Sequence, residues 1–211
     1  PMVLTTRLPA GAAQGIAHIA ASLPLLCAIC AVSLEALGAD PVAELTAFSG
    51  EAAVVFLLLS LAARPLRRVS QWDWPLRIRR MLGLWAFAWA SIHILIYVLL
   101  DLGGYWPQLA DDLSKRPYIM LGALVWLLLL PLAATSTKSA MRKLGRRWKQ
   151  LHRLVYLAAP LAIAHEIWQE KTGWGDAIWH APVLAVLLVA RLSVQPFWRE
   201  AQGPLQKSRN R

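Results

Sequence analysis

Apolar runs long enough to cross a bilayer recur along this chain, and no other feature limits its folding as much. A hydrocarbon core of ~30 Å takes about 20 helical residues. Six stretches meet that length: residues 16–34, 45–63, 81–100, 117–137, 148–168 and 177–198. Lipid offers no hydrogen bonds, so each backbone must satisfy its own polar groups, which a helix does. The expected fold is therefore an all-α membrane protein, a six-transmembrane-helix bundle. Glu51 interrupts the second run, and Arg191 lies near the end of the sixth, where its stem can snorkel toward water. The segment before residue 16 has a single arginine, Arg7, and no cleavable signal pattern, so the first run reads as a membrane helix.

The formal charge of +10 raises the question of nucleic acid, and the placement of the charges answers it. Of 22 basic residues, 19 fall on one side of the six-span arrangement: Arg7, those of the loops 64–80 and 136–151, Arg153, Arg191 and those of the tail 199–211. The other side keeps Lys115, Arg116 and Lys171 against ten of the twelve acids. Basic loops stay cytoplasmic. Both termini are thus expected in the cytoplasm, and no nucleic-acid partner is needed. With only short loops, residues 1–211 read as a single integral membrane domain ending in a short basic cytoplasmic tail, 199–211. Cys27 and Cys30 form a C-x-x-C inside an apolar run, without further sulfur or histidine nearby. They read as buried thiols rather than a redox or metal pair.

Histidine inside a span is costly and marks a functional position. His93 lies in the third run, and His152 and His165 lie in the fifth. His18 is near the start of the first, and His180 is at the outer edge of the sixth, where an interfacial role is expected. Runs three and five cross in the same direction. At 1.5 Å per residue, His93 and His165 reach about 18 and 20 Å along their helices, one depth in the outer half. Two imidazoles at one depth, on neighbouring helices, suit the two faces of a haem iron. His152 sits a leaflet away, where a second haem would lie. The competing reading is that each histidine ties helices by a hydrogen bond; three at related depths favour haem. His152 and His165 are about 140° apart on an ideal helix. Either a kink at Pro160 resets that phase, or two haems approach from different sides.

Clustered Cys, Met or carboxylates for copper or zinc are missing, as is a G-x-G-x-x-G fingerprint. Electrons would come from another protein, a bound flavin or a membrane quinol. The loop "RPLRRVSQWDWPLRIRR" offers Arg77, Arg79 and Arg80 to haem propionates or a flavin phosphate. Ordinary positive-inside anchoring accounts for it equally well.

The runs "LGADPVAELTAFSG", "RRMLGLWAFAWASIHILIYVLLDLG", "KRPYIMLGALVWLLLLPLAATS" and "RKLGRRWKQLHRLVYLAAPLAIAHEIW" closely resemble the MsrQ (YedZ) family. These are the haem-binding membrane subunits of bacterial MsrP–MsrQ protein-methionine-sulfoxide reductase systems. The resemblance spans about residues 37–168, and that core is similar to the ferric-reductase-type transmembrane domain shared with NADPH oxidases. It implies b-type haem (one or two), with FMN as a further cofactor. It also implies an inner-membrane location and electron flow from the quinone pool or a cytosolic flavin reductase to a periplasmic MsrP-like molybdoenzyme. That partner reduces methionine sulfoxide in periplasmic proteins. The resemblance places His93, His152 and His165 on haem-ligand positions. The oxidases carry a histidine fourteen residues before the first of these; here that position is Arg79. His152 then lacks an evident partner, leaving His18 or a five-coordinate iron. The oxidases' flavin- and NADPH-binding domain has no counterpart, so direct NADPH oxidation is not expected.

The leading expectation is an electron-transfer subunit, with no catalytic residue of its own. The acidic outer segments "DDLSKRP" and "EIWQEKTGWGD" would be its docking surface. A stand-alone ferric-chelate or oxygen reductase is the runner-up, and a cofactor-free membrane scaffold stands third.

Overall fold

The computed structural model describes residues 10–170 and 175–192. All regular structure among them is helical: α1 (Ala10–Ser33), α2 (Pro41–Ser70), α3 (Trp74–Ile96), α4 (Trp106–Lys115), α5 (Pro117–Ala134), α6 (Lys138–Leu144), α7 (Arg146–Leu151), α8 (Val155–Gln169) and α9 (Ala177–Leu192). Sequence chemistry sets several boundaries. Asp40 caps α2 by accepting from Ala43 N–H at 3.0 Å, with Pro41 opening the first turn. Proline also opens α3, α4 and α5. At the far end of α2, Gln71 turns left-handed at φ 60° and returns its N–H to Arg67 O at 2.8 Å.

Four helices are long and apolar enough to cross a membrane: Gln14–Ser33, Pro41–Ser70, Trp74–Asp101 and Pro117–Ala134. The expected fifth span, 148–168, is a broken run: α7, a 3₁₀ turn at His152–Leu154, then α8. The expected sixth begins as α9; its continuation to residue 198 and the basic tail 199–211 lie outside the described residues. The bundle's outside is apolar, with Ile19, Leu99 and Val186 each more than 60% exposed. Water does not tolerate so much apolar surface, whereas lipid does. Exposed tryptophans ring both ends, Trp72 and Trp74 at the arginine-rich end and Trp106, Trp168 and Trp179 at the acidic end. Such rings mark the two interfaces of a membrane.

Packing is most extensive between α2 and α3, then between α5 and α8, so the bundle is built from two helix pairs. Small residues on α3 and α8, Ala86, Ala158 and Ala159, are almost fully buried, as is Trp89, and small side chains let neighbouring backbones approach closely. The pairs are joined by Trp126, whose Nε1–H donates to Ser91 Oγ at 3.0 Å and whose ring stacks on Phe87. α1 is peripheral and packs on α3. Cys27 and Cys30 lie on its exposed face, not in the interior expected of them.

α3 ends in a π turn, Tyr97–Asp101, where Leu102 N–H reaches back five residues to Tyr97 O at 2.9 Å. The widened turn accompanies a contact from Tyr97 to α4: its hydroxyl donates to Asp112 Oδ2 at 2.8 Å. Arg116 Nε stands 3.4 Å from the other oxygen. Asp112, expected on a solvated docking segment, is instead only 4% exposed and pins α4 to the bundle.

Candidate functional site

His93 on α3 and His165 on α8 meet at the centre of the bundle. Their ring centroids are 6.2 Å apart and their planes nearly perpendicular, at 86°. Each ring is held at Nδ1. His93 Nδ1–H donates to the Thr46 carbonyl at 2.9 Å, with Ser49 Oγ 3.3 Å away as a second contact. His165 Nδ1–H donates to the Tyr118 carbonyl at 2.7 Å. A carbonyl only accepts, so the proton sits on Nδ1 and the lone pair on Nε2. That is the tautomer a metal-ligating imidazole takes when a carbonyl holds its other nitrogen.

Glycine makes room for both rings. A Cβ at Gly122 would lie 2.8 Å from His165 Cε1, and one at Gly50 would lie 3.2 Å from His93 Cε1 and Nδ1. The two halves repeat the same device. Thr46 and Gly50 are one turn apart on α2, as Tyr118 and Gly122 are on α5. Each glycine precedes its histidine by 43 residues. A carbonyl and a glycine on one helix thus cradle an imidazole on the next, twice, and the two products face each other.

The arrangement fits haem. With metal–nitrogen bonds of about 2 Å and rings whose nitrogens lie about 1 Å from their centre, two imidazoles on opposite faces of one iron have centroids about 6 Å apart. Among the described residues no three His, Cys, Asp or Glu groups come together to hold a bare metal ion. An iron held here would bring its remaining ligands with it, as in a porphyrin.

His152 occupies the 3₁₀ turn at the opposite, basic end. Its ring stacks on Trp148 at 3.9 Å between centroids, and Nδ1–H donates to the Trp148 carbonyl at 3.1 Å. Its Nε2 is buried without a hydrogen-bond partner; the Leu132 carbonyl lies near the ring outside bonding geometry. The 3₁₀ turn advances about 120° per residue instead of about 100°, which narrows the angle between His152 and His165 from about 140° to about 80°. The phase change expected at Pro160 therefore has a source in the backbone beside His152 itself.

His18, on the exposed face of α1, accepts from Trp85 Nε1–H at 3.4 Å. Arg77 and Arg80 are exposed, while Arg79 is half-buried and its carbonyl accepts from Ser60 Oγ at 3.2 Å. His180, expected at an interface, is largely buried and pairs with Glu166 Oε1 at 2.8 Å, tying α9 to α8 beside His165. Sequence reading missed Gly50, Gly122, Thr46, Tyr118, Ser49 and Glu166. The repeated 43-residue spacing is the signal that finds the two glycines.

Residues 49–163 match the family described as ferric reductase like transmembrane component. A protein-methionine-sulfoxide reductase heme-binding subunit MsrQ from Xanthomonas euvesicatoria pv. vesicatoria (strain 85-10) is 48% identical over 154 residues, 73% of this chain and 71% of that one. Proteins of the same name from Xanthomonas oryzae pv. oryzae, strains MAFF 311018 and KACC10331 / KXO85, are each 43% identical over 175 residues, 83% of this chain and 78% of theirs.

Proposed function

This chain belongs to the MsrQ family of haem-binding subunits, within the ferric-reductase-like transmembrane group, and from that membership we propose that it carries electrons across the bacterial inner membrane. In this reading six helices span the membrane with both termini in the cytoplasm. Electrons enter at the basic, cytoplasmic end from the quinone pool or a cytosolic flavin reductase. They leave at the acidic end to a periplasmic MsrP-like molybdoenzyme, which repairs methionine sulfoxide in periplasmic proteins.

The observation that carries this reading is the His93–His165 pair, two neutral imidazoles from separate helices at coordination spacing. In this reading His93 and His165 would hold an outer b-type haem through their Nε2 atoms, and that group would supply a reversible one-electron couple. Thr46 and Tyr118 fix the tautomer of each ring, and Gly50 and Gly122 give the rings space. An inner redox centre, a second haem or FMN, is assigned to His152, whose buried Nε2 is unpartnered. Of the loop arginines, Arg79 faces this centre, and Arg77 and Arg80 anchor the interface. With Trp85 as its partner, His18 is the weaker choice for a fourth ligand, and a five-coordinate iron at His152 is the alternative.

The test is vectorial. Purified protein in inside-out vesicles is given a quinol, or a flavin reductase with its reductant, and the haem α band is followed. The expected course is reduction of the haem, then reoxidation when MsrP-like partner and methionine sulfoxide are supplied on the opposite face. Haem that is reduced but indifferent to the partner, while passing electrons freely to a ferric chelate, would favour the stand-alone reductase instead.

A further inference from the structure

At the basic end three buried polar atoms on adjacent helices have no partner: Arg191 Nη1 on α9, Tyr156 OH on α8 and His152 Nε2 just before it. His152 and Tyr156 are four residues apart, one on the 3₁₀ turn and the other in the first turn of α8. The Arg191 guanidinium lies over the Tyr156 ring, 4.4 Å from its centroid. Its charged neighbours are the guanidinium groups of Arg64 on α2 and Arg79 on α3. Asp73, the acidic residue at this end among those described, is engaged with Arg67 at 2.8 Å. Positive charge from α2 and α3 thus bears on Arg191, with Arg64 exposed and Arg79 half-buried, and among the described residues none of the three is seen in an ion pair. A buried donor left without a partner costs more than a bond gains, and Arg191 Nη1 is such a donor although its side chain as a whole is only partly buried. An anion at the place where the donors point would satisfy them and balance the positive field.

We propose that Arg191 and Tyr156, with Arg79 and Arg64 supplying positive field, bind the oxyanion of the inner redox cofactor. The chemistry is that of a carboxylate or a phosphate monoester: a guanidinium N–H and a phenol O–H both donate, and the surrounding charge is positive. A haem propionate and the phosphate of FMN share it. The site is distinct from the exposed Arg77 and Arg80, and Tyr156 follows His152 by about 7 Å of helix rise, a span one cofactor covers. This inference rests on the reading that a redox centre lies beside His152.

The test uses the full-length protein in nanodiscs, as wild type, Arg191→Gln, Tyr156→Phe and His152→Ala. Haem per chain is measured by pyridine haemochrome, and FMN and riboflavin affinities by flavin fluorescence quenching. If the anion is a propionate, Arg191→Gln and Tyr156→Phe lower the inner haem's occupancy or shift its reduction potential, and FMN binds no better than riboflavin. If it is a phosphate, wild type prefers FMN over riboflavin by about tenfold or more, and both variants erase that preference with haem content unchanged. A cofactor that is retained with unaltered potential and unaltered FMN preference in both variants overturns the anion site. Loss of the inner cofactor in His152→Ala alone then shows that the redox centre stands without it. Wild type with one haem, insensitive to His152→Ala, and no flavin binding overturns the inner centre itself. Absorbance of the outer haem reports folding, and Tyr156→Phe, which keeps the ring under Arg191, is decisive if Arg191→Gln fails to assemble.

Discussion

Gly122 of α5 lies so close to His165 of α8 that a single methyl group could not fit between them: a Cβ there would stand 2.8 Å from Cε1 and 3.1 Å from Nδ1. The glycine is a mould for the imidazole. Its counterpart, Gly50, leaves slightly more room for His93, at 3.2 Å.

The difference sets an order of severity. Gly122→Ala is expected to displace the His165 ring and strip the outer haem from most of the protein. Gly50→Ala, where the ring need give only a few tenths of an ångström, retains haem with a shifted reduction potential. Haem content and potentiometric titration of the two variants check this. Equal retention in both would mean that the rings are not held against the glycines.

Ser49 is 1% exposed and its hydroxyl touches His93 Nδ1 at 3.3 Å while donating to Thr46 O at 3.0 Å. Ser49→Ala leaves the Thr46 carbonyl as the sole acceptor for His93 Nδ1–H. Removing a hydrogen bond at a ligand's other nitrogen lowers its basicity. The outer haem should keep its stoichiometry and move to a more positive potential, measured by spectroelectrochemistry. No movement would assign Ser49 to helix packing alone.

Asp112 predicts a stability effect without a redox one. Its carboxylate joins Tyr97 on the π turn to Arg116, and burial makes the loss of one partner costly. Asp112→Ala removes the acceptor of the Tyr97 hydroxyl and the buried partner of Arg116, and should cost about 1–3 kcal/mol. Thermal unfolding in detergent should shift downward while the spectrum of assembled protein stays unchanged. A variant as stable as wild type would remove α4 from the account.

Much of this was legible before any coordinates. Apolar runs gave the helices, and counting rise per residue placed His93 and His165 at one depth, where their rings do meet. The cradles were not legible, because a glycine inside an apolar run carries no hydrophobic signal, and a carbonyl such as that of Thr46 or Tyr118 carries no sequence signal at all. Asp112 looked like one more solvated acid; only the π turn of α3 brings Tyr97 to it. The 3₁₀ turn at His152 was hidden because Pro160, further along, was the more obvious source of a phase change. Arg191 read as a snorkelling residue, and its place over Tyr156 depends on how α9 packs beside α8, which periodicity does not encode.

The claim beneath all of this is that His93 and His165, from separate helices, hold one iron between them. The direct measurement is haem per chain in His93→Ala, His165→Ala and the double variant, each compared with wild type. Ligands of one iron act as a unit, so their effects do not add. The account predicts that each single change removes the same haem and that the double change removes no more. Two singles that remove different haems, or a double variant that loses twice as much as either, would contradict it.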